Sequence, residues 1–328
     1  MKKYILTVLK IVISLGLLAY LINLADPEKI LMTLNQVWYG GGVIYLLAGT
    51  SLFVLSLYVL SFRWQVLITA YGLKIETAKL FKFYMIGLFF NNFLPTGIGG
   101  DVLRIYNLVQ QSGNRTVGFV SVLTERLIGI LSTLVLAIIA LLVLPEVANR
   151  EILLLITSGM MFLLIGFFIV AMNEKLSAPL ERWSSRISAF RLGERVQKFL
   201  DSIRFYADGK TIYLKVLLIS TLSQTFIILM TYSLAKAIDL DIDLGFMFLV
   251  VPITFLLSML PSINGIGVRD GGYVVLLAGV GVTKAAALSL SFLTVIIPML
   301  ISIYGGILFM IQKRGARHTE VKIDEKIV

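Results

Sequence analysis

Long apolar runs are the feature that most constrains the fold of this chain. Six of them approach or exceed the roughly 20 residues that an α-helix needs to cross the hydrocarbon core of a bilayer. The chain is 58% hydrophobic and only 15% charged, whereas a soluble domain is about 25% charged. We therefore predict an all-α, polytopic membrane protein. The six predicted spans are Tyr4–Leu24, Val37–Ser61, Val117–Leu144, Ile152–Met172, Ile212–Ala235 and Ala285–Ile311.

The first apolar run follows Met1-Lys2-Lys3, as in a signal peptide. Its apolar part is longer than an h-region of about 7–15 residues, and it lacks an A-x-A cleavage site. We favour a retained membrane anchor over a cleaved signal peptide.

The composition excludes several kinds of site. The chain has no cysteine, and its single histidine, His318, lies in the polar tail. Disulfides, thiolate nucleophiles and histidine-based triads are therefore excluded, and we predict no metal site and no cofactor. The net charge of +10 comes from basic residues beside predicted spans, which favours membrane lipids, anionic phospholipid in particular, over nucleic acid as partners.

Loop charges predict the topology, because Lys and Arg accumulate in cytoplasmic loops. The loop 173–211 is the most basic, and residues 63–82 and the tail 313–328 are basic too, whereas the loop 236–243 carries three aspartates. We predict one integral membrane domain, residues 1–312, in the cell membrane, with both termini and the loop 173–211 in the cytoplasm. The basic residues that decide this loop are Lys175, Arg182, Arg186, Arg191, Arg195, Lys198, Arg204 and Lys210.

Part of the loop 173–211 has an amphipathic pattern. Its apolar residues fall on one helical face, with arginine and lysine around them, which predicts a helix on the cytoplasmic leaflet. A linker that packs between two helical bundles fits the same pattern. The apolar residues are Leu192, Val196, Phe199, Leu200 and Ile203.

Two further segments are interrupted by polar tips. Residues 80–116 must enter and leave on the cytoplasmic side if the flanking loops lie where their charges predict, and residues 245–283 must begin and end outside. Each tip contains Leu-Pro, then Gly-Ile-Gly and an acid, within 94–101 and 260–270. We predict two re-entrant helical hairpins related as an inverted repeat. The alternative is that each helix pair crosses the whole membrane through its proline and glycines.

Irregular backbone at membrane depth must be enclosed by protein or by a water-filled cavity. Half-helices that begin at Gly97 or Gly265 would direct free N–H groups and positive dipole ends inward, where a phosphate or carboxylate could bind. Glycine would let a headgroup approach the backbone closely. The candidate substrate-binding residues are Asn92, Gly97, Gly99, Gly100, Asp101, Arg104, Glu125, Arg126, Asn264, Gly265, Gly267, Arg269 and Asp270.

The charged candidates have two interpretations. Burial of each charge costs on the order of 3 kcal/mol or more, so these side chains face a cavity or one another. In the structural interpretation, Asp101 pairs with Arg104, and Glu125 pairs with an arginine, only to hold the hairpin. In the functional one, the arginines hold a lipid phosphate, and the acids balance charge or bind a cationic headgroup.

Nucleotide motifs are incomplete in this chain. Residues 208–211, Asp-Gly-Lys-Thr, end like a P-loop, but Arg204 replaces its leading glycine and no strand is predicted before it. Gly97 and Gly99 lack the third glycine of a dinucleotide fingerprint, because Val102 occupies that position. The glycines at 40–42 and 305–306 are predicted to pack helices together.

The tips resemble those of the membrane domain of the lysylphosphatidylglycerol synthases, a family also called flippase-like. The likeness covers nearly the whole chain, from about residue 5 to residue 312. Asp270 departs from the family pattern, where glutamate is more frequent. The first motif matches Asn92, Leu94-Pro95, Gly99-Gly100-Asp101 and Arg104, the Glu-Arg pair matches Glu125-Arg126, and the second motif matches Pro261, Gly265, Gly267-Val268 and Asp270.

The resemblance implies a lipid flippase or transporter that moves a phospholipid or lipid-linked precursor between leaflets. Full-length synthases carry a soluble aminoacyltransferase domain after the membrane part, and here only a polar tail follows, so we expect the lipid-translocating part alone. A transporter is therefore favoured over an enzyme. The alternatives are a lipid enzyme with Asp101 or Glu125 as general base, and an accessory subunit of a synthase in aminoacyl-phospholipid or glycolipid synthesis.

Overall fold

The computed structural model describes residues 19–20, 22–24, 26–93, 99–144, 150–185, 197, 200, 204, 210–260, 262 and 265–324. Every regular element in this part of the chain is a helix, as the sequence predicted. The helices are α1 (Pro27–Tyr39), α2 (Val43–Ala70), α3 (Thr77–Phe93), α4 (Gly99–Ser112), α5 (Arg115–Val143), α6 (Arg150–Met172), α7 (Glu174–Ser185), α8 (Lys210–Ala237), α9 (Leu244–Ser258), α10 (Val268–Ala278) and α11 (Lys284–Asp324).

Among the described residues, five helices are long and apolar enough to cross a bilayer. They agree with five of the six predicted spans, and the sixth, Tyr4–Leu24, lies largely outside the described residues. The chain is thus an all-α polytopic membrane protein. The five segments are Val43–Ala70, Arg115–Val143, Arg150–Met172, Thr211–Ala237 and Lys284–Gln312.

The second predicted span, Val37–Ser61, was placed too early, because its first residues belong to the short helix α1. The glycines at 40–42 separate α1 from α2, and Gly41 has a positive φ of 74°, which favours glycine. A Cβ atom on Gly42 would lie 2.1 Å from the carbonyl oxygen of Ala237. These glycines therefore end one helix and allow α2 to pack closely against the end of α8.

Helices α3 and α4 form an antiparallel hairpin. At its open end, Lys79 Nζ donates a hydrogen bond of 2.6 Å to Gln111 Oε1. At its closed end, the backbone N–H of Gly100 donates to Asn91 Oδ1 at 2.8 Å. A Cβ atom on Gly100 would lie 1.9 Å from the carbonyl oxygen of Gly87, so only glycine permits this approach. Helices α9 and α10 form the second pair.

The helices fall into two sets, α2–α5 and α8–α11, that make corresponding contacts. α3 packs on α11 as α9 packs on α5, and each hairpin packs on the long helix that follows it. The first helices of the two sets, α2 and α8, run antiparallel, since Arg63 contacts Ser220 and Gly42 contacts Ala237. The two sets thus make equivalent contacts, and the inverted repeat across the membrane stays a prediction.

Two predicted cytoplasmic segments are described in part. Most of the predicted amphipathic helix lies outside the described residues, but Leu200 is buried against Ala171 at the end of α6, and Arg204 donates to Ser177 Oγ on α7. The backbone of the tail 313–328 continues helix α11 as far as Asp324. The loop thus packs on the helices before it at these two positions.

Candidate functional site

A cluster of five charged side chains lies beside the first hairpin. Arg63 comes from α2, Asp101 and Arg104 come from α4, and Glu125 and Arg126 come from α5. The first four are at most 7% exposed, whereas the side chain of Arg126 is 45% exposed. We call these five residues the arginine-acid cluster.

Glu125 is the centre of the arginine-acid cluster. Its carboxylate accepts hydrogen bonds from Arg104 Nη2, from Arg63 Nε at 3.2 Å and from the Tyr84 hydroxyl at 3.0 Å. Arg63 also donates to Ser220 Oγ at 2.9 Å. One carboxylate therefore links α2, α3, α4 and α5, and Arg63 extends the link to α8.

The guanidinium of Arg104 is enclosed by aromatic rings. Its Cζ atom lies 3.6 Å from the ring centroid of Tyr84 and 4.3 Å from that of Trp64, so cation–π attraction replaces part of its hydration. The Trp64 indole is held in turn by a hydrogen bond of 2.9 Å to Ser121 Oγ. Gly87 makes room for this side chain, because a Cβ atom there would lie 2.8 Å from Arg104 Cγ.

Asp101 and Arg126 form the outer part of the cluster. Asp101 accepts a hydrogen bond from Arg126 Nε, and its other oxygen lies 3.6 Å from Arg104 Nη1. Arginine stays protonated in proteins. Three guanidinium groups and two carboxylates leave one surplus positive charge when both acids are ionised. Arg126 is the most exposed member of the cluster.

The second tip has a smaller, electrically neutral arrangement. The carboxylate of Asp270 accepts from Arg269 Nη2 at 2.6 Å and from Ser291 Oγ on α11 at 2.6 Å. Its other oxygen accepts from the backbone N–H of Gly267 at 2.8 Å. Gly267 has a positive φ of 83°, so glycine is favoured there too.

One predicted helix start needs correction, because α10 begins at Val268 rather than Gly265. The described part of α4 begins at Gly99, and its predicted start at Gly97 lies outside the described residues. The N–H of Gly267 is bonded to Asp270 and that of Gly100 to Asn91. These two donors are therefore used by side chains of the protein. The remaining candidates Gly97 and Asn264 lie outside the described residues.

Both tips contact α11 within the part that is long and apolar enough to span a membrane, Lys284–Gln312. The amide nitrogen of Asn92 lies 3.4 Å from the carbonyl oxygen of Pro298, and Asp270 contacts Ser291. These two α11 residues are about 10 Å apart along the helix. The open end of the first hairpin lies beside the end of the α11 span, where Gln312 donates to Asn107. The second hairpin leads into the start of α11 through residues 279–283.

Sequence reasoning missed several side chains that complete these sites. Arg63 was assigned to the basic stretch 63–82, because the span was predicted to end at Ser61. The apolar pattern continues to Ala70, and this continuation was the available signal that Arg63 is buried. Nothing in the local sequence marks Tyr84, Ser220 or Ser291 as partners of charged groups.

Comparison with known proteins identifies the family of this chain. The sequence profile described as the lysylphosphatidylglycerol synthase TM region matches residues 7–305. The chain belongs to this family. A UPF0104 membrane protein of Pyrococcus horikoshii is 24% identical over 94% of this chain and 97% of its own length. Another, from Methanothermobacter thermautotrophicus, is 24% identical over 84% of this chain and 86% of its own length. Membership of the lysylphosphatidylglycerol synthase TM family confirms the resemblance found in the sequence and indicates a lipid-related membrane protein.

Proposed function

We propose that this protein is a lipid flippase, a transporter that moves a polar-headgroup lipid between the leaflets of the cell membrane. The substrate class is a phospholipid or a lipid-linked precursor. The observation that carries the proposal is that two helical hairpins, each with buried charge at its tip, approach α11 from opposite ends and contact it at positions only about 10 Å apart. Both chain termini are on the cytoplasmic side in this proposal.

The lengths of the hairpins support re-entrant segments. α3 has 17 residues and α9 has 15, so they extend about 26 Å and about 22 Å at helical rise. Each is shorter than the roughly 30 Å hydrocarbon core. Two such hairpins from opposite faces would allow each tip to open toward one side in turn, as in transporters built from inverted repeats.

The charge of the first tip favours a phosphate-bearing lipid. The surplus positive charge of the arginine-acid cluster lies at depth, where an anion would otherwise be poorly solvated. The half-exposed guanidinium of Arg126 can hold two phosphate oxygens with parallel hydrogen bonds. As the phosphate binds Arg126, Asp101 would lose its hydrogen bond from Arg126 and keep its ion pair with Arg104. The ion pair between Arg104 and Glu125 would hold the hairpin in place.

The test is leaflet exchange in proteoliposomes that contain the purified full chain and fluorescent phosphatidylglycerol in both leaflets. A membrane-impermeant reductant bleaches the outer leaflet, so bleaching beyond about half of the signal measures exchange. We expect exchange to exceed that of protein-free vesicles. The absence of exchange by folded protein would contradict the proposal.

Arg126→Gln tests the role of the cluster. It removes the surplus charge but leaves Asp101 beside Arg104, so we expect folded protein with transport reduced roughly tenfold, the effect of about 1.4 kcal/mol. Arg150→Gln is the matched control, because Arg150 donates to the carbonyl oxygens of Leu141 and Leu142 at the far end of α5. Equal transport rates for Arg126→Gln and Arg150→Gln would show that Arg126 does not bind the transported lipid. A new lipid product in the vesicles would favour the enzyme alternative.

A further inference from the structure

A cavity of about 640 Å³ lies between the open end of the first hairpin and helix α11. Lys79, Lys82 and Gln111 line one side, and Leu308, Ile311 and Gln312 line the other. No member of the arginine-acid cluster lines it. The cavity is therefore a separate feature, at the end of the span rather than at its middle.

The lining separates polar from apolar groups. The exposed side chains of Lys79 and Lys82 stand with one carboxylate, Glu76, at the polar side, so two positive charges meet one negative charge. Lys79 gives one hydrogen bond to Gln111, and an ammonium has three donors. The buried side chain of Phe83 on α3 and the side chain of Leu308 on α11 form the apolar wall of the cavity. This combination suits a ligand with an anionic group and a hydrocarbon chain.

Asn107 provides an independent indication of a ligand. The residue lines the cavity and is only 3% exposed. Its Oδ1 accepts from Gln312 Nε2 at 3.1 Å, but its Nδ2 is buried without a hydrogen-bond partner among the described residues. A buried donor without an acceptor is unfavourable. An oxygen of a bound ligand would supply the missing acceptor.

We infer that this cavity binds the phosphate of an anionic phospholipid, with the phosphate at the two lysines and an acyl chain along Leu308. The lipid would occupy this site from the leaflet at that end of α11. The inference does not depend on transport, since a lipid held here would bind whether or not it is moved. Soluble phosphates share the anionic group but lack the chain that the apolar wall accommodates.

Quenching of a fluorescent label measures this binding. Ile311→Cys introduces a single cysteine at the cavity of a chain that has none, and a bimane label can be attached there. The full chain is placed in phosphatidylcholine nanodiscs, and phosphatidylglycerol or further phosphatidylcholine with brominated chains is titrated in. We expect half-maximal quenching at an about tenfold lower fraction of phosphatidylglycerol, because the two lysines, partly offset by Glu76, attract the anionic headgroup.

Lys79→Gln with Lys82→Gln should remove this preference, and Asn107→Leu should weaken it about fivefold. Lys74→Gln with Lys175→Gln is the matched control, because both lysines are exposed and neither lines the cavity. The proposed lipid site would be wrong if the control variant lost the preference for phosphatidylglycerol equally, or if the labelled Ile311→Cys protein showed no such preference. If soluble glycerol phosphate alone prevented the quenching of the label by brominated lipid, the cavity would bind a soluble phosphate, and the proposal of a lipid ligand would be wrong. A thermal melt of each variant verifies folding.

Discussion

The strongest consequence of the arginine-acid cluster concerns Glu125. Glu125→Gln preserves the shape of the side chain but removes the negative charge that Arg63 and Arg104 share. Both guanidiniums are buried, and removal of one partner from a buried ion pair typically costs about 3–5 kcal/mol. We expect the free energy of unfolding to fall by that amount, a large part of the roughly 5–15 kcal/mol that stabilises a folded domain.

Asp101→Asn is the matched comparison, because it also neutralises one acid of the cluster. Its main partner, Arg126, is 45% exposed, so solvent compensates for the lost charge and the cost should be about 1 kcal/mol. Thermal and denaturant unfolding in detergent measures both variants. Equal destabilisation of the two would refute the central position of Glu125.

The pairing also predicts the outcome of a charge exchange within α4. Asp101→Arg combined with Arg104→Asp would be tolerated if these residues paired only with each other. In the structure, the new arginine at position 101 would face Arg126, and the new aspartate at 104 would face Glu125. We expect the double variant to yield less folded protein than either single variant. A higher yield of the double variant would contradict the observed pairing.

Two further predictions test packing and topology. Gly305→Ala should destabilise the protein by about 1–3 kcal/mol, because the added Cβ atom would lie 1.9 Å from the carbonyl oxygen of Met85. Gly159→Ala is the control, because Gly159 has open space around it. In the same thermal melts we expect Gly159→Ala to be neutral or slightly stabilising. Cysteines introduced at Arg191 and Asp241 of this cysteine-free chain should react with an impermeant reagent from opposite sides of the membrane, and reaction from the same side would contradict the predicted topology.

The sequence by itself determined the class of fold and the positions of the two tips. Apolar length predicts a membrane helix because the bilayer has a defined thickness and leaves no water for unpaired backbone groups. The Pro and Gly residues at 95–100 and 261–267 mark the places where such a helix cannot continue. Boundaries were less certain, as the early start of the second span shows, since hydrophobicity cannot distinguish α1 from α2 across the glycines at 40–42.

Only the tertiary structure decided which charges meet. Glu125 and Arg126 are neighbours in sequence, but neighbours on a helix point about 100° apart, so Glu125 turns toward Arg104 and Arg126 turns toward Asp101. The partner Arg63 is 62 residues away in sequence from Glu125, on a helix whose position depends on its packing against α8. Long-range packing therefore determined the ion pairs, because a charge buried inside the protein must pair with the opposite charges that other helices place beside it.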